Sequence, residues 1–149
     1  MNIITITLNP AIDVHVSLDS FRHSSDGNYT VLKRDSGGKG VNVSRALRAL
    51  SQDSLCCVAV GKDNADEYLK PLEDCGMTLD VELVPGSVRE NVHVSTSQGD
   101  MVVPASGACV DNTAVFRIKE RVLPLVYEGC FVCFCGKLPP DCDKSYVMD

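Results

Sequence analysis

Gly37-Gly38-Lys39-Gly40-Val41-Asn42 is the stretch that decides how this chain reads. It stands directly before a helical pattern in which Val43, Ala46, Leu47 and Leu50 recur at i, i+3, i+4 and i+7, with Arg45 and Arg48 on the other side. A glycine cluster that opens a helix bares backbone N–H groups and lets a ligand come close. The positive end of the helix dipole then favours an anion or a hydroxyl-rich ligand. Two familiar glycine loops do not match. A P-loop requires G-x-x-x-x-G-K-[ST], and here Lys39 is followed by Gly40. A dinucleotide fingerprint follows the first strand directly, whereas this cluster lies far downstream of one. What remains is a ligand loop of another kind, or a loop that merely needs positive φ angles.

Upstream of the loop, Ile3 to Leu8 reads as a strand that ends at Asn9-Pro10. Asp13 to Leu18 alternates Val14, Val16 and Leu18 against His15 and Ser17, the period of a half-exposed strand. Ser24 to Asn28 is a turn cluster, and Tyr29 to Arg34 reads as a second half-exposed strand. Downstream, Leu55 to Val60 reads as a buried strand ending at Gly61. Asn64 to Cys75 reads as a helix with Gly76 beyond it, and Pro71 as a point where it could split. Leu79 to Val84 is a further strand. Asn91 to Thr96 and Met101 to Pro104 flank the turn Ser97 to Asp100. Asp111-Asn112-Thr113 can cap a helix reaching Val122, and Phe131 to Cys135 is a last, apolar strand. The alternation of strand and helix predicts an α/β fold, a parallel sheet flanked by helices. The half-exposed pieces, within residues 12–35 and 89–105, do not fit that sheet and predict a small second one.

The 149 residues are 44% apolar and 23% charged, enough for one domain with a sizeable core. The net charge of −6 argues against nucleic acid and acidic membrane as partners, which call for a basic patch. A few local cations still suffice for a phosphate ligand. No apolar run approaches the ~18 residues of a transmembrane helix. The first residues read as a strand and not as a signal peptide, so the expected location is cytoplasmic. Eight cysteines then read as free thiols. Cys130-x-x-Cys133 has metal-ligand spacing, but on a strand the two face opposite sides. They read as small buried hydrophobes, and no metal site is expected.

The loop does not stand alone. Thr5-Ile6-Thr7-Leu8-Asn9-Pro10-Ala11-Ile12-Asp13 precedes it, and Asn42-Val43-Ser44-Arg45-Ala46-Leu47 follows. Val60-Gly61-Lys62-Asp63, Val88-Arg89-Glu90-Asn91-Val92 and Phe134-Cys135-Gly136-Lys137-Leu138-Pro139-Pro140 come later. In this order the set resembles the first half of a PfkB-type sugar kinase of the ribokinase-like superfamily, within it the 1-phosphofructokinase and tagatose-6-phosphate kinase subgroup. The resemblance implies a ribokinase-like sheet with the small sheet acting as a lid and dimer interface. It also implies that family members continue for about as long again, with a nucleotide site and a Gly-Ala-Gly-Asp segment that supplies an anion hole and the catalytic base. No such segment occurs in the 149 residues. The expectation is therefore a truncated kinase: no catalytic residue here, ATP and Mg²⁺ only in the complete enzyme, and neither bound by this chain alone.

Eight residues are candidates for a phosphorylated ketohexose. Asp13 implies a carboxylate accepting from two sugar hydroxyls, against the plainer reading of a solvated turn residue. Gly37 and Gly38 would let the loop approach the sugar, and Lys39 offers a compact charge. Asn42 at the helix start could bond a hydroxyl or cap the backbone. Arg89 can grip a phosphate with its fork, with Asn91 as a weaker neighbour, or can be an edge-strand charge that discourages aggregation. Lys137 stands where the family usually has a serine, and Asp141 where it has a glycine. Some phosphofructokinases carry a lysine where Asn28 aligns, so the resemblance favours 1-phosphofructokinase, acting on fructose 1-phosphate, or tagatose-6-phosphate kinase. His15, His23 and His93 lack metal-ligand spacing, and the first and last read as surface or interface residues. The alternative function is a non-catalytic module that binds a phospho-sugar or pairs through its lid.

Overall fold

A computed structural model describes residues 2–18, 29–139 and 142–145. The turn at 24–28 with Asn28, His23, Pro140, Asp141 and residues 146–149 lie outside them. β1 (Ile3–Thr7) is the axis of a four-stranded parallel sheet. It lies between β4 (Leu55–Gly61) and β8 (Phe131–Phe134), with β5 (Thr78–Val84) outside β4. Cys56 and Cys57 alternate along β4 and so feed different cores. Cys56, Val58 and Val60 pack with Val41 of α1 (Lys39–Ala49) and with Tyr68 and Leu72 of α2 (Ala65–Asp74). Cys57 and Ala59 pack with Ile4, Ile6 and the Ala114, Val115, Ile118 and Val122 ridge of α3 (Asn112–Val122). Asp111 caps α3 as expected, its Oδ1 accepting from Ala114 N–H at 2.9 Å.

The second sheet runs β3 (Tyr29–Gly37), β2 (Ala11–Leu18), β6 (Arg89–Thr96), β7 (Gly99–Pro104). β2–β3 and β6–β7 are antiparallel hairpins, and the sheet closes through a parallel β2–β6 pair with Asp13 opposite Asn91 and His15 opposite His93. Ile12, Val14 and Val16 are buried and continue into the core beneath α1 and α2.

Several sequence expectations shift. The face of α1 predicted to be buried is not: Val43 is 38% and Leu50 73% exposed. The helix instead docks by small residues, Gly40, Val41 and Ser44. Ser44 Oγ lies 2.8 Å from Thr5 Oγ1 and accepts from Ser54 Oγ at 2.9 Å, a polar seam that an apolar-periodicity rule does not detect. β3 runs past Arg34 to Gly37, so the glycine loop is the end of a strand. The β6–β7 turn is Ser97-Gln98, two residues shorter than predicted. Pro71 lies inside α2 without splitting it, near the C-terminal end. The apolar strand expected at 131–135 ends at Phe134 and is an edge of the sheet, with Phe131, Val132 and Phe134 exposed. An apolar run is buried only where neighbours cover it, and among the described residues β8 pairs with β1 alone. The cysteines divide accordingly: Cys56, Cys57 and Cys142 are buried, Cys75 and Cys109 exposed, and Cys130, Cys133 and Cys135 half-buried.

Candidate functional site

In an open parallel sheet, ligands sit outside the carboxyl ends of strands where the strand order reverses. Here that place is between β1, whose chain proceeds to β4 on one side, and β8 on the other. A cleft of about 290 Å³ opens there. Its walls are Asn9 and Ala11 after β1, Asp13 of β2, Gly38, Lys39 and Asn42 at the start of α1, Arg89 and Asn91 of β6, and Gly136 and Lys137 after β8. Seven of the eight predicted residues line it, and the eighth, Gly37, stands directly behind Asp13.

The glycine loop is shaped for close approach. A Cβ on Gly37 would lie 2.6 Å from Asp13 Oδ2, so only glycine leaves that oxygen its position. Gly38 caps α1 with φ 140°, a left-handed value that side chains resist. No side chain caps this helix and its first turn holds no acidic residue. Its positive end therefore points at the cleft beside the Lys39 ammonium. Tyr68, buried in α2, donates its hydroxyl to Gly37 O at 2.8 Å, and Ser36 Oγ donates to Tyr68 O at 2.7 Å. Burial pushes the Tyr68 phenol up from its ordinary value, which keeps it a donor. Arg45 also donates to Ser36 O.

Asp13 is not a solvated turn residue. Its Oδ1 accepts from Asn91 Nδ2 at 2.8 Å, and His93 Nε2 lies 3.4 Å away. Asn42 is not the cap, because α1 starts three residues earlier. Its Oδ1 accepts from Arg45 Nη1 at 3.2 Å at the cleft wall. Arg89 donates Nε to Pro10 O at 3.3 Å, which anchors the stem of the guanidinium at the cleft. Among the described residues, Thr7 Oγ1 beneath Gly40 and Asn91 Oδ1 are buried without a protein partner. Three cations, Lys39, Arg89 and Lys137, thus meet one carboxylate in a chain of net charge −6. The arrangement can hold an anion and orient hydroxyls.

Sequence reasoning missed Asn9, Ala11 and Gly136, which line the cleft, and Tyr68 and His93, which support it. Asn9 and Gly136 were within motifs already singled out, and the strand-end rule would have marked both. Tyr68 and His93 carry no local signal. His15 and His93 are half-buried, and their rings stack with centroids 4.6 Å apart.

The family model of pfkB carbohydrate kinases matches residues 7–148. The 1-phosphofructokinase of Xanthomonas campestris pv. campestris is 28% identical over 140 residues, covering 91% of this chain and 43% of its own length. The tagatose-6-phosphate kinase of Staphylococcus epidermidis is 22% identical over 147 residues, covering 99% of this chain and 47% of its own. The crystal structure of phosphofructokinase-2 from Escherichia coli in complex with substrates and products superposes with a TM-score of 0.90 at 21% identity, over 99% of this chain and 48% of that one. At that identity the likeness speaks for the fold. The chain spans about half the length of the relatives it matches. The glycine loop, the strand-end cleft it opens on and the match over nearly the whole sequence agree: this chain belongs to the pfkB family of carbohydrate kinases.

Proposed function

We propose that the chain is the sugar-phosphate-binding half of an ATP-dependent ketohexose-phosphate kinase of the 1-phosphofructokinase kind, with fructose 1-phosphate as its ligand. The observation that carries this is the cleft, where a carboxylate held by Asn91 faces three cations and an uncapped helix start. Asp13 takes sugar hydroxyls, and Arg89, with Lys39 and Lys137 near it, takes the phosphate. Kinases of this family use ATP and Mg²⁺. Asp13 is the one carboxylate among the cleft residues, and its Oδ1 already accepts from Asn91. That does not fit Mg²⁺, which asks for an octahedral oxygen set. Nucleotide, metal and catalytic base are therefore assigned to the part of the relatives' length that these residues do not span. A cytoplasmic setting belongs to the same proposal.

The second sheet serves in this reading as a lid, and its far face as a dimer contact. Val14, Val16, Val31, Val92 and Val94 line an apolar groove there that a second copy would cover. That groove also favours the alternative, a binding or pairing module without catalysis. One experiment separates the two. The 149-residue chain is assayed for ADP release with ATP and fructose 1-phosphate, alone and after co-expression with the C-terminal half of a related 1-phosphofructokinase. No turnover alone and turnover on reconstitution are expected. Turnover by the chain alone would overturn the assignment of the base, and fructose 1-phosphate binding without turnover on reconstitution would favour the module.

A further inference from the structure

Asp13 can recognise hydroxyls only if its carboxylate is held at a fixed angle. Strand alternation puts Asn91 and His93 on one face of β6 and Val92 and Val94 on the other. In the parallel register Asn91 stands opposite Asp13, and His93 opposite His15. Both β6 side chains reach the same oxygen: Asn91 Nδ2 at 2.8 Å and His93 Nε2 at 3.4 Å from Asp13 Oδ1. The His93 ring is itself fixed, stacked on His15 with 16° between the planes. The other oxygen, Oδ2, occupies the space that glycine leaves at position 37. Asp13 and Asn91 line the cleft, and His93 is not among the lining residues.

We propose that His93, braced by the ring of His15, is a positioning residue for hydroxyl recognition. With Asn91 it holds Asp13 Oδ1 and so fixes the carboxylate at the cleft wall. The role rests on the sugar-phosphate reading above. It predicts a side chain that affects the sugar end of the ligand without touching it, and leaves the phosphate end alone.

The test uses the 149-residue chain. Wild type, His93→Ala and His93→Gln are titrated calorimetrically with fructose 1-phosphate and, separately, with inorganic phosphate, after thermal melts establish that each folds. His93→Ala should weaken fructose 1-phosphate about three- to tenfold, the size of one lost hydrogen bond. Inorganic phosphate should bind as before. His93→Gln, whose amide can donate, should recover to within about twofold of wild type. Equal losses for both probes, equal losses in both variants, or no loss would overturn the role. Ring-nitrogen NMR of the unliganded chain tests the contact itself and needs no variant of His93. The His93 Nε2 resonance should carry a proton and should move in Asp13→Asn. An unmoved resonance would overturn the contact. A wild-type chain that binds fructose 1-phosphate no better than inorganic phosphate would instead overturn the sugar-phosphate reading, and the ring spectra would still decide whether His93 holds Asp13.

Discussion

In the proposed site Arg89 and Asp13 divide the ligand between them, and their substitutions should fail differently. Arg89→Ala removes a charge-assisted partner of the phosphate, worth about 1.5–3 kcal/mol, or roughly ten- to a hundredfold in affinity for fructose 1-phosphate. Binding of unphosphorylated fructose should be unchanged. Asp13→Ala should weaken both sugars. Calorimetry with the two ligands checks this, and equal effects of Arg89→Ala on both would place the phosphate elsewhere, with Lys39 and Lys137 next in line. A second residue-scale effect concerns pH. Burial above all, with the nearby Asp80 carboxylate, pushes the Cys57 thiol up to about 12 from its ordinary 9.0. The folded state keeps its proton while the unfolded chain loses it. The stabilising contribution is therefore complete below pH 9 and is lost as pH rises towards 12. The urea midpoint should fall between pH 8 and pH 10.5, and by less in Cys57→Ala than in wild type. An equal fall in both would assign the loss to other groups, the buried Tyr68 phenol first.

At the scale of elements, the glycine loop is held from below. Tyr68→Phe would leave Gly37 O without its donor beneath the loop, a loss of about 1–3 kcal/mol. The melting temperature should fall, and fructose 1-phosphate affinity with it. An unchanged melt would show that the loop does not depend on α2. Most elements were legible because their signals are local: the Asn9-Pro10 break, the hairpin around Ser97, the Asp111 cap. The buried face of α1 was not, because Gly40 and Ser44 dock by small size and hydrogen bonding, which an apolar period does not register. The end of β3 was not, because the strand runs into the glycines that should have ended it. The residues that line the cleft stand in motifs that the sequence displays. What lay outside them was the bracing, since Tyr68 and His93 reach Gly37 and Asp13 only once α2 and β6 are folded beside them.

At the scale of the molecule, the parallel sheet has an apolar edge. Phe131 is 68% exposed at β8, and an open strand edge of this kind pairs readily with another chain. The 149-residue chain should self-associate at micromolar concentration, and Val132→Lys should reduce that association. Sedimentation checks it, and a well-behaved wild-type monomer would contradict it. The cleft between β1 and β8 is the proposed phospho-sugar site. Amide NMR of the chain titrated with fructose 1-phosphate tests this most directly. Saturable shifts concentrated at Gly37, Gly38, Gly40, Arg89, Asn91 and Gly136, and absent in Arg89→Ala at the same ligand concentration, are the predicted result. Shifts spread over the surface, or reproduced in full by inorganic phosphate, would contradict it.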